Sequence, residues 1–300
     1  MSASNTIALD WGTSSFRAYL VGPDGTLFDS RASAEGILSV PDGAFEPVFE
    51  RLVAGWDVSL PVLASGMITS RQGWREVPYA TAPAGLGELA DGVDRFRTIS
   101  GRTIVFVPGI AYRAGNGVPD VMRGEETQIV GLAGNGSGLY VTRGTHCKWV
   151  GVERGQIVRF ATFMTGELFA VLKSHSILGR LMTGEATGGP GFARGVADGL
   201  ADGAMLLHAL FGARTLGLFG DLQGDELAAY LSGLLTGAEI VGGRQLFAPS
   251  AEDVTVIGAP SLAEPFCSAL NIAGIPSRLG AADAAVRGLM LIGKHVGVIA

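Results

Sequence analysis

Ile7-Ala8-Leu9-Asp10-Trp11-Gly12-Thr13-Ser14-Ser15-Phe16-Arg17-Ala18-Tyr19-Leu20-Val21 reads as an apolar strand ending in an acid, a glycine-hydroxyl turn, and an alternating return strand. A Pro23-Asp24-Gly25 turn and Leu27-Phe28 follow. The same order recurs half a chain later: Leu139-Tyr140-Val141 runs into Arg143-Gly144-Thr145-His146 and returns as Lys148-Trp149-Val150-Gly151-Val152. It then turns at Arg154-Gly155 and continues as Ile157-Val158-Arg159-Phe160. One Asp-x-Gly-Thr is common in ordinary hairpins; the repeat with matched flanking strands gives it weight. Such a turn exposes backbone N–H groups, and glycine lets that backbone approach an anion with no Cβ in the way. Two copies predict phosphates clamped between two lobes, one lobe over 1–135 and the other over 136–300.

Further elements place the rest of the chemistry. A helix is expected over Glu46 to Trp56 and a buried strand at Pro61-Val62-Leu63-Ala64, followed by the polar segment from Ser65 to Trp74. Ile104 to Gly109 reads as a strand, and Arg123 to Leu132 as a helix with its acids in the first turn, where the helix dipole favours them. Gly131 to Gly138 is the expected boundary. Beyond the second hairpin, Thr165-Gly166-Glu167 starts a run of helices reaching about Leu235. A strand at Val254 to Gly258 and a helix from Ala281 to about His295 finish the second lobe. Mixed strands and helices in two similar halves imply an α/β duplication.

Composition narrows the partners. With 300 residues, 47% of them hydrophobic, the chain can bury a large core. A net charge of −6 and three lysines (Lys148, Lys173, Lys294) leave no basic stripe, so nucleic acid is not an expected partner. The start, Met1-Ser2-Ala3-Ser4-Asn5, is polar, and no apolar run reaches the roughly 18 residues of a membrane span. No membrane association and a cytoplasmic location are expected. Cys147 and Cys267, the two cysteines, form neither a disulfide framework nor a Cys-rich metal site. The 46 glycines follow no period and must serve turns, helix ends and close packing.

Several tempting motifs do not hold. Gly288-Leu289-Met290-Leu291-Ile292-Gly293-Lys294-His295 has P-loop spacing but His where a metal-binding hydroxyl belongs, and no strand precedes it. Gly134 to Gly138 precedes a strand, whereas a dinucleotide fingerprint follows one. His146 and Cys147 alternate across a strand, and no acid follows to orient the His, so a thiol nucleophile is not expected. His175 and His208 lack partners at zinc-ligand spacing. Glu125 and Glu126 stand apart: behind an Arg-Gly entry and just before the second hairpin, either is a candidate general base.

Four motifs in one order carry a family resemblance: Ile7 to Ala18, Met122-Arg123-Gly124-Glu125-Glu126-Thr127-Gln128, Gly144-Thr145-His146-Cys147-Lys148-Trp149-Val150 and Met164-Thr165-Gly166-Glu167-Leu168. Together they resemble the 2-dehydro-3-deoxygalactonokinases, sugar-acid kinases of the actin-like, hexokinase and sugar-kinase superfamily, from about residue 6 to 295. The resemblance implies two ribonuclease-H-like α/β lobes with ATP and a sugar acid in a central cleft, and phosphorylation of the terminal hydroxyl of 2-dehydro-3-deoxy-D-galactonate. It implies that Asp10 acts on Mg²⁺, directly or through water, while Gly12, Thr13 and Ser14 approach the β- and γ-phosphates and Gly144 and Thr145 form the opposing turn. Glu125 stands where related kinases carry their base, with Glu126 as the runner-up. Adenine is expected near Gly258 to Leu262.

Phosphoryl transfer asks for such parts on chemical grounds. Positioning, Mg²⁺ and charge neutralisation carry most of it, with a carboxylate taking the proton of the attacking hydroxyl. A substrate carboxylate suits the planar fork of Arg, so Arg17, Arg71 and Arg123 are candidates, with Lys148 at the sugar acid or the phosphates. Gly66, Met67 and Trp74 are candidates to line the sugar. Lobe closure over substrate is expected, to keep water from ATP. Arg143 stands where the family usually has Pro, so that turn is either less rigid or carries an extra charge towards phosphate. Ala259-Pro260 departs from a Gly-Thr-like pair. The gluconate-derived epimer as substrate, a non-catalytic ATP-binding sensor and homo-oligomer formation stay open at this stage.

Overall fold

A computed structural model describes residues 5–186, 188–248 and 253–299; the polar stretch Met1 to Ser4 lies outside them. The strand pattern of the opening sequence folds as read. β1 (Thr6–Trp11), β2 (Phe16–Val21) and β3 (Leu27–Ser33) make an antiparallel meander, with Asp10 opposite Arg17 and Trp11 opposite Phe16. β1 is apolar almost throughout because it is an interior strand buried on both faces, whereas β3 alternates towards solvent. After α1 (Phe45–Leu52), β4 (Val62–Ser65) pairs parallel to β1.

The polar segment then leads to β5 (Ala80–Thr81), α2 (Leu86–Asp91), β6 (Asp94–Arg97) and β7 (Thr103–Phe106), the last parallel to β4. β8 (Ile110–Arg113), β9 (Pro119–Met122) and α3 (Glu125–Ala133) follow. The large sheet has the order β3-β2-β1-β4-β7-β6, and β5-β8-β9 form a small separate sheet that the sequence reading did not anticipate. An aromatic core fills one side of the large sheet. Trp11 stacks on Phe16 with ring centroids 3.7 Å apart, and Phe45, Phe49 and Phe106 close around them.

The second half repeats the plan. β10 (Gly138–Thr142), β11 (Cys147–Glu153), β12 (Gln156–Phe163), β13 (Val254–Ile257) and β14 (Ser277–Leu279) are ordered β12-β11-β10-β13-β14. β10 and β13 are parallel, as are β13 and β14. Position for position this is the order of the first sheet without its edge strand β6, so the duplication read from two turns is a duplication of two ribonuclease-H-like sheets. Helices α4 (Thr165–His175), α5 (Gly189–Asp202), α6 (Leu206–Ala209), α7 (Gly212–Leu218) and α8 (Gly224–Phe247) lie between β12 and β13, and α9 (Pro260–Ile272) between β13 and β14. Among the described residues no helix is long and apolar enough to cross a membrane.

Two compact units result: residues 1–137, 152–159 and 283–300, and residues 138–151 and 160–282. The C-terminal helix α10 (Ala284–His295) was expected to finish the second lobe; it belongs to the first unit instead. The reason is a glycine crossing. A Cβ on Gly131 of α3 would lie 2.1 Å from the Ala284 carbonyl oxygen, and one on Gly288 of α10 would lie 1.9 Å from that of Thr127. The motif that mimics a P-loop is thus a helix-packing surface. In the second unit α5 and α8 cross in the same way, with Gly195 and Gly199 against the Tyr230 and Leu234 carbonyls and Gly233 and Gly237 against those of Phe192 and Val196. Close helix packing accounts for part of the high glycine count.

Candidate active site

The first turn grows from the C-terminal end of β1. Gly12 N–H donates to the Ser15 carbonyl at 2.8 Å, and the Gly12 carbonyl accepts from Ile37 N–H at 3.0 Å. Gly36 presses on the Thr13–Ser14 peptide from behind, where a Cβ would come within 2.2 Å, so the turn is backed by main chain. Thr13 and Ser14 are exposed. A Cβ at Gly12 itself would meet only Ser15, no closer than 3.6 Å, and Gly12 has no positive φ. Among the described residues nothing requires glycine there; the cradle suits a group from outside.

Asp10 keeps 20% of its side-chain surface open, with Arg17 Nη1 3.4 Å from its Oδ2. Its burial raises the carboxyl above the ordinary value, and the Arg17 charge acts the other way. Among the described residues no group of three or more His, Cys, Asp or Glu is arranged to hold a metal ion. A divalent ion here would therefore rely on the oxygens of a bound phosphate chain, with Asp10 as the protein's contribution.

The entry of α3 stands beside this turn through backbone stacking. Gly66, at φ +97°, lies against Trp11, where a Cβ would come 2.7 Å from its carbonyl oxygen. Gly124, at φ +112°, lies against Gly66, with its own Cβ position 3.2 Å from the Gly66 Cα. Both glycines are needed by conformation as well as by space. From that entry the two acids diverge. Glu126 is fully buried, with both carboxyl oxygens 2.7–2.8 Å from Gly124 N–H, and burial beside Glu125 pushes it up to about 8. It is protonated at neutral pH and closes its own helix entry. Glu125 is half-buried and accepts from Arg123 N–H at 3.0 Å through Oε2.

The expected sugar-acid residues separate just as clearly. Arg123 is buried; its Nη1 and Nη2 donate to Thr69 at 2.6 Å and to the Val77 carbonyl at 3.0 Å, and its guanidinium lies 4.1 Å over the Tyr79 ring. It ties the loop over residues 69–79 in place. Trp74, expected along the sugar, packs its ring among Trp11, Phe45, Phe49, Phe96 and Phe106 at 5.6–6.5 Å. Met67 packs against the same core. Arg71 is exposed and without an ion pair among the described residues; Arg17 is exposed and leans on Asp10.

In the second unit, Gly144 follows β10. A Cβ there would meet only the His146 carbonyl oxygen, at 3.8 Å, and its φ is not positive, so glycine again has no internal cause. Thr145 is exposed. The turn is fixed by its neighbours: Gly166 at the start of α4 presses on the Gly144 carbonyl, and Gly258, at φ +154°, packs against Arg143 just ahead of α9. Arg143 neither loosens the turn nor sends a charge towards ligand. Its Nη1 is held 2.7 Å from both carboxylate oxygens of buried Glu239, which also accepts from Trp149 Nε1 at 3.1 Å. Lys148 is buried and donates from Nζ to Thr162 Oγ1 at 2.6 Å.

The orienting acid that the sequence reading did not find for His146 exists: Glu167 Oε2 lies 2.5 Å from its Nε2. Its spacing of 21 residues hides it in the sequence, although Glu167 sits in a first helical turn. Cys147 remains inert, since burial pushes its thiol up to about 11.

The chain is similar to known proteins over nearly its whole length. The family model for 2-keto-3-deoxy-galactonokinase matches residues 10–292. A Rhizobium meliloti protein named as a probable 2-dehydro-3-deoxygalactonokinase is 36% identical over 288 residues, 93% of each chain. The Escherichia coli 2-dehydro-3-deoxygalactonokinase is 34% identical over 281 residues, 93% of this chain and 94% of its own. A crystal structure of a Sinorhizobium meliloti protein of the same kinase class superposes with a TM-score of 0.89 at 35% identity, covering 97% of this chain and 99% of that one.

Proposed function

The chain belongs to the 2-keto-3-deoxy-galactonokinase family, and on that premise we propose that it transfers the terminal phosphoryl group of ATP to the 6-hydroxyl of 2-dehydro-3-deoxy-D-galactonate. The products are the 6-phosphate and ADP, in galactonate catabolism. The observation that supports phosphate binding is the pair of turn glycines, Gly12 and Gly144, that no internal contact or dihedral explains. Gly12, Thr13 and Ser14 in one unit, and Gly144 and Thr145 in the other, offer N–H and hydroxyl donors to phosphate oxygens.

Asp10 would hold Mg²⁺, directly or through water. The ion, when bound, neutralises charge on the transferring phosphoryl group. Glu125 takes the proton of the attacking hydroxyl, because it is ionisable and half-open whereas Glu126 is buried and already protonated. Its backbone partner Arg123 N–H fixes the carboxylate without cancelling its charge. Gly66 and Met67 lie at the start of the segment that carries Arg71. With Arg123 and Lys148 bonded inside the protein, Arg71 is the cation best placed to grip the sugar carboxylate. Gly258 marks the adenosine side.

The test is ADP release by the purified chain with Mg-ATP and a panel of 2-dehydro-3-deoxy sugar acids, aldonates and hexoses. Selective stimulation by the galactonate-derived acid is expected. Stimulation by its gluconate epimer instead would change the substrate, and none by any sugar acid would overturn the kinase reading.

A further inference from the structure

Leu206-Leu207-His208-Ala209-Leu210-Phe211-Gly212-Ala213-Arg214-Thr215-Leu216-Gly217-Leu218-Phe219 covers α6 and α7, and its backbone stays helical through the junction at Leu210 and Phe211. The inner side is accounted for: Leu206, Ala209, Leu210, Ala213 and Leu216 join the core cluster of Leu227, Leu231 and Leu234 of α8. The outer side is apolar as well. Leu207 is 90% and Phe219 83% exposed, and Phe211 and Leu218 are 55% and 57% exposed. Ile177, 53% exposed, borders this side, since Arg214 Nη1 donates to its carbonyl at 3.3 Å. His208 and Arg214 are the only titratable residues in the stretch, whereas a solvent-facing helix carries a polar face and a helix apolar all round is a buried one.

A fully exposed side chain of this size offers roughly 200 Å², so these five leave about 600 Å² of apolar surface in water. A standard interface buries about 800 Å² on each partner, roughly two-thirds of it apolar in homodimers. The outer side supplies that apolar share by itself. Its occupant follows from three observations. Residues 1–4, 187, 249–252 and 300, outside the described ones, hold no Leu, Ile, Val, Phe, Tyr or Trp, so this sequence keeps no apolar segment in reserve to cover it. With one Arg and no Lys, the stretch lacks the basic face of a helix that lies on lipid. It is also complementary to itself. Leu207 and Leu218, like Phe211 and Arg214, lie equally far along the chain from a point between Gly212 and Ala213. Laid antiparallel on its copy about that point, the stretch sets Leu207 against the partner's Leu218, and Phe211 beside the partner's Arg214 as a cation–π pair. We propose that this side is the two-fold interface of a homodimer, with α6 and α7 packed antiparallel on their copies. The proposal does not depend on the kinase reading.

Sedimentation equilibrium of the full chain at micromolar concentration tests it, and the wild type is expected at twice the chain mass. Leu207→Asp, or separately Phe211→Asp, should raise the dimer dissociation constant at least about a hundredfold and leave one chain mass. Both side chains are exposed, so the far-ultraviolet circular dichroism should not change. Ile99→Asp, at a residue 97% exposed in the first unit, should keep the double mass. Joining Leu218→Lys to Leu207→Asp should restore the dimer, because the two-fold axis brings the opposite charges together. A wild type at one chain mass would overturn the proposal, as would a folded Leu207→Asp chain that keeps the double mass. A double variant that stays at one chain mass would overturn the antiparallel register.

Discussion

The two Gly-Thr turns share strand order and fold but handle charge in opposite ways. At the first, Asp10 ends near solvent with a loosely held arginine, Arg17, 3.4 Å away. At the second, the corresponding place before the turn is Thr142, and the one charge next to the glycine, Arg143, is turned inward onto Glu239. One copy leaves a carboxylate partly open to solvent; the other seals its charge in the core and exposes a hydroxyl and the His146 ring. Duplication has preserved the backbone while the side chains have divided the work. Under the proposed function, the first turn would handle metal and phosphoryl chemistry and the second would hold the phosphates.

That contrast breaks most easily at Asp10. Asp10→Asn keeps the shape and removes the charge, and kcat with saturating Mg-ATP should fall about a thousandfold, with the melting temperature near wild type. A modest fall would mean that the first turn does not hold the metal. The reverse pattern is expected at Arg143: Arg143→Met leaves Glu239 buried and unpaired, and urea unfolding should show a loss of about 3–5 kcal/mol. Arg17→Ala, at an exposed pair, should cost under about 1 kcal/mol in the same assay.

Glu126 sharpens the picture through pH. Between pH 4.5 and about 8 the folded chain keeps a proton there that the unfolded chain has released, so the group's contribution to stability falls as pH rises across that interval. Glu126→Gln should flatten that slope, and unfolding curves at pH 6 and pH 8.5 measure it. A slope unchanged by the substitution would mean that Glu126 is ionised in the fold. The smallest effect is expected at the turn glycine. Gly12→Ala has room inside the protein, so the melting temperature should hold while KM for ATP rises several-fold; Gly66→Ala, pressed on Trp11, should lower the melting temperature instead.

Much of this was legible because it is local. Leu9-Asp10 followed by Gly12 and Thr13, and the same rhythm around Gly144, state strand and turn within a dozen residues, and backbone hydrogen bonding enforces the rest. The pairing of α3 with α10 was not legible, since Gly131 and Gly288 only declare their purpose when the 156 intervening residues have folded. The same holds for charged side chains. Arg123 reads as a substrate fork from its motif, yet its hydrogen bonds go to Thr69 and Val77, and the carboxylate that claims Arg143 lies 96 residues away. Trp74 sits in a polar segment that reads as a binding loop, and five aromatic rings from four other elements draw it into the core. Glu125 and Glu126 are adjacent in sequence and equivalent on paper; only burial tells them apart.

The central claim, that Glu125 is the base of an ATP-dependent sugar-acid kinase, is tested most directly by kcat of Glu125→Gln with 2-dehydro-3-deoxygalactonate and Mg-ATP, with affinity for a non-hydrolysable ATP analogue as the control. Turnover should fall at least about a hundredfold with analogue affinity unchanged; turnover within a few-fold of wild type would contradict the assignment.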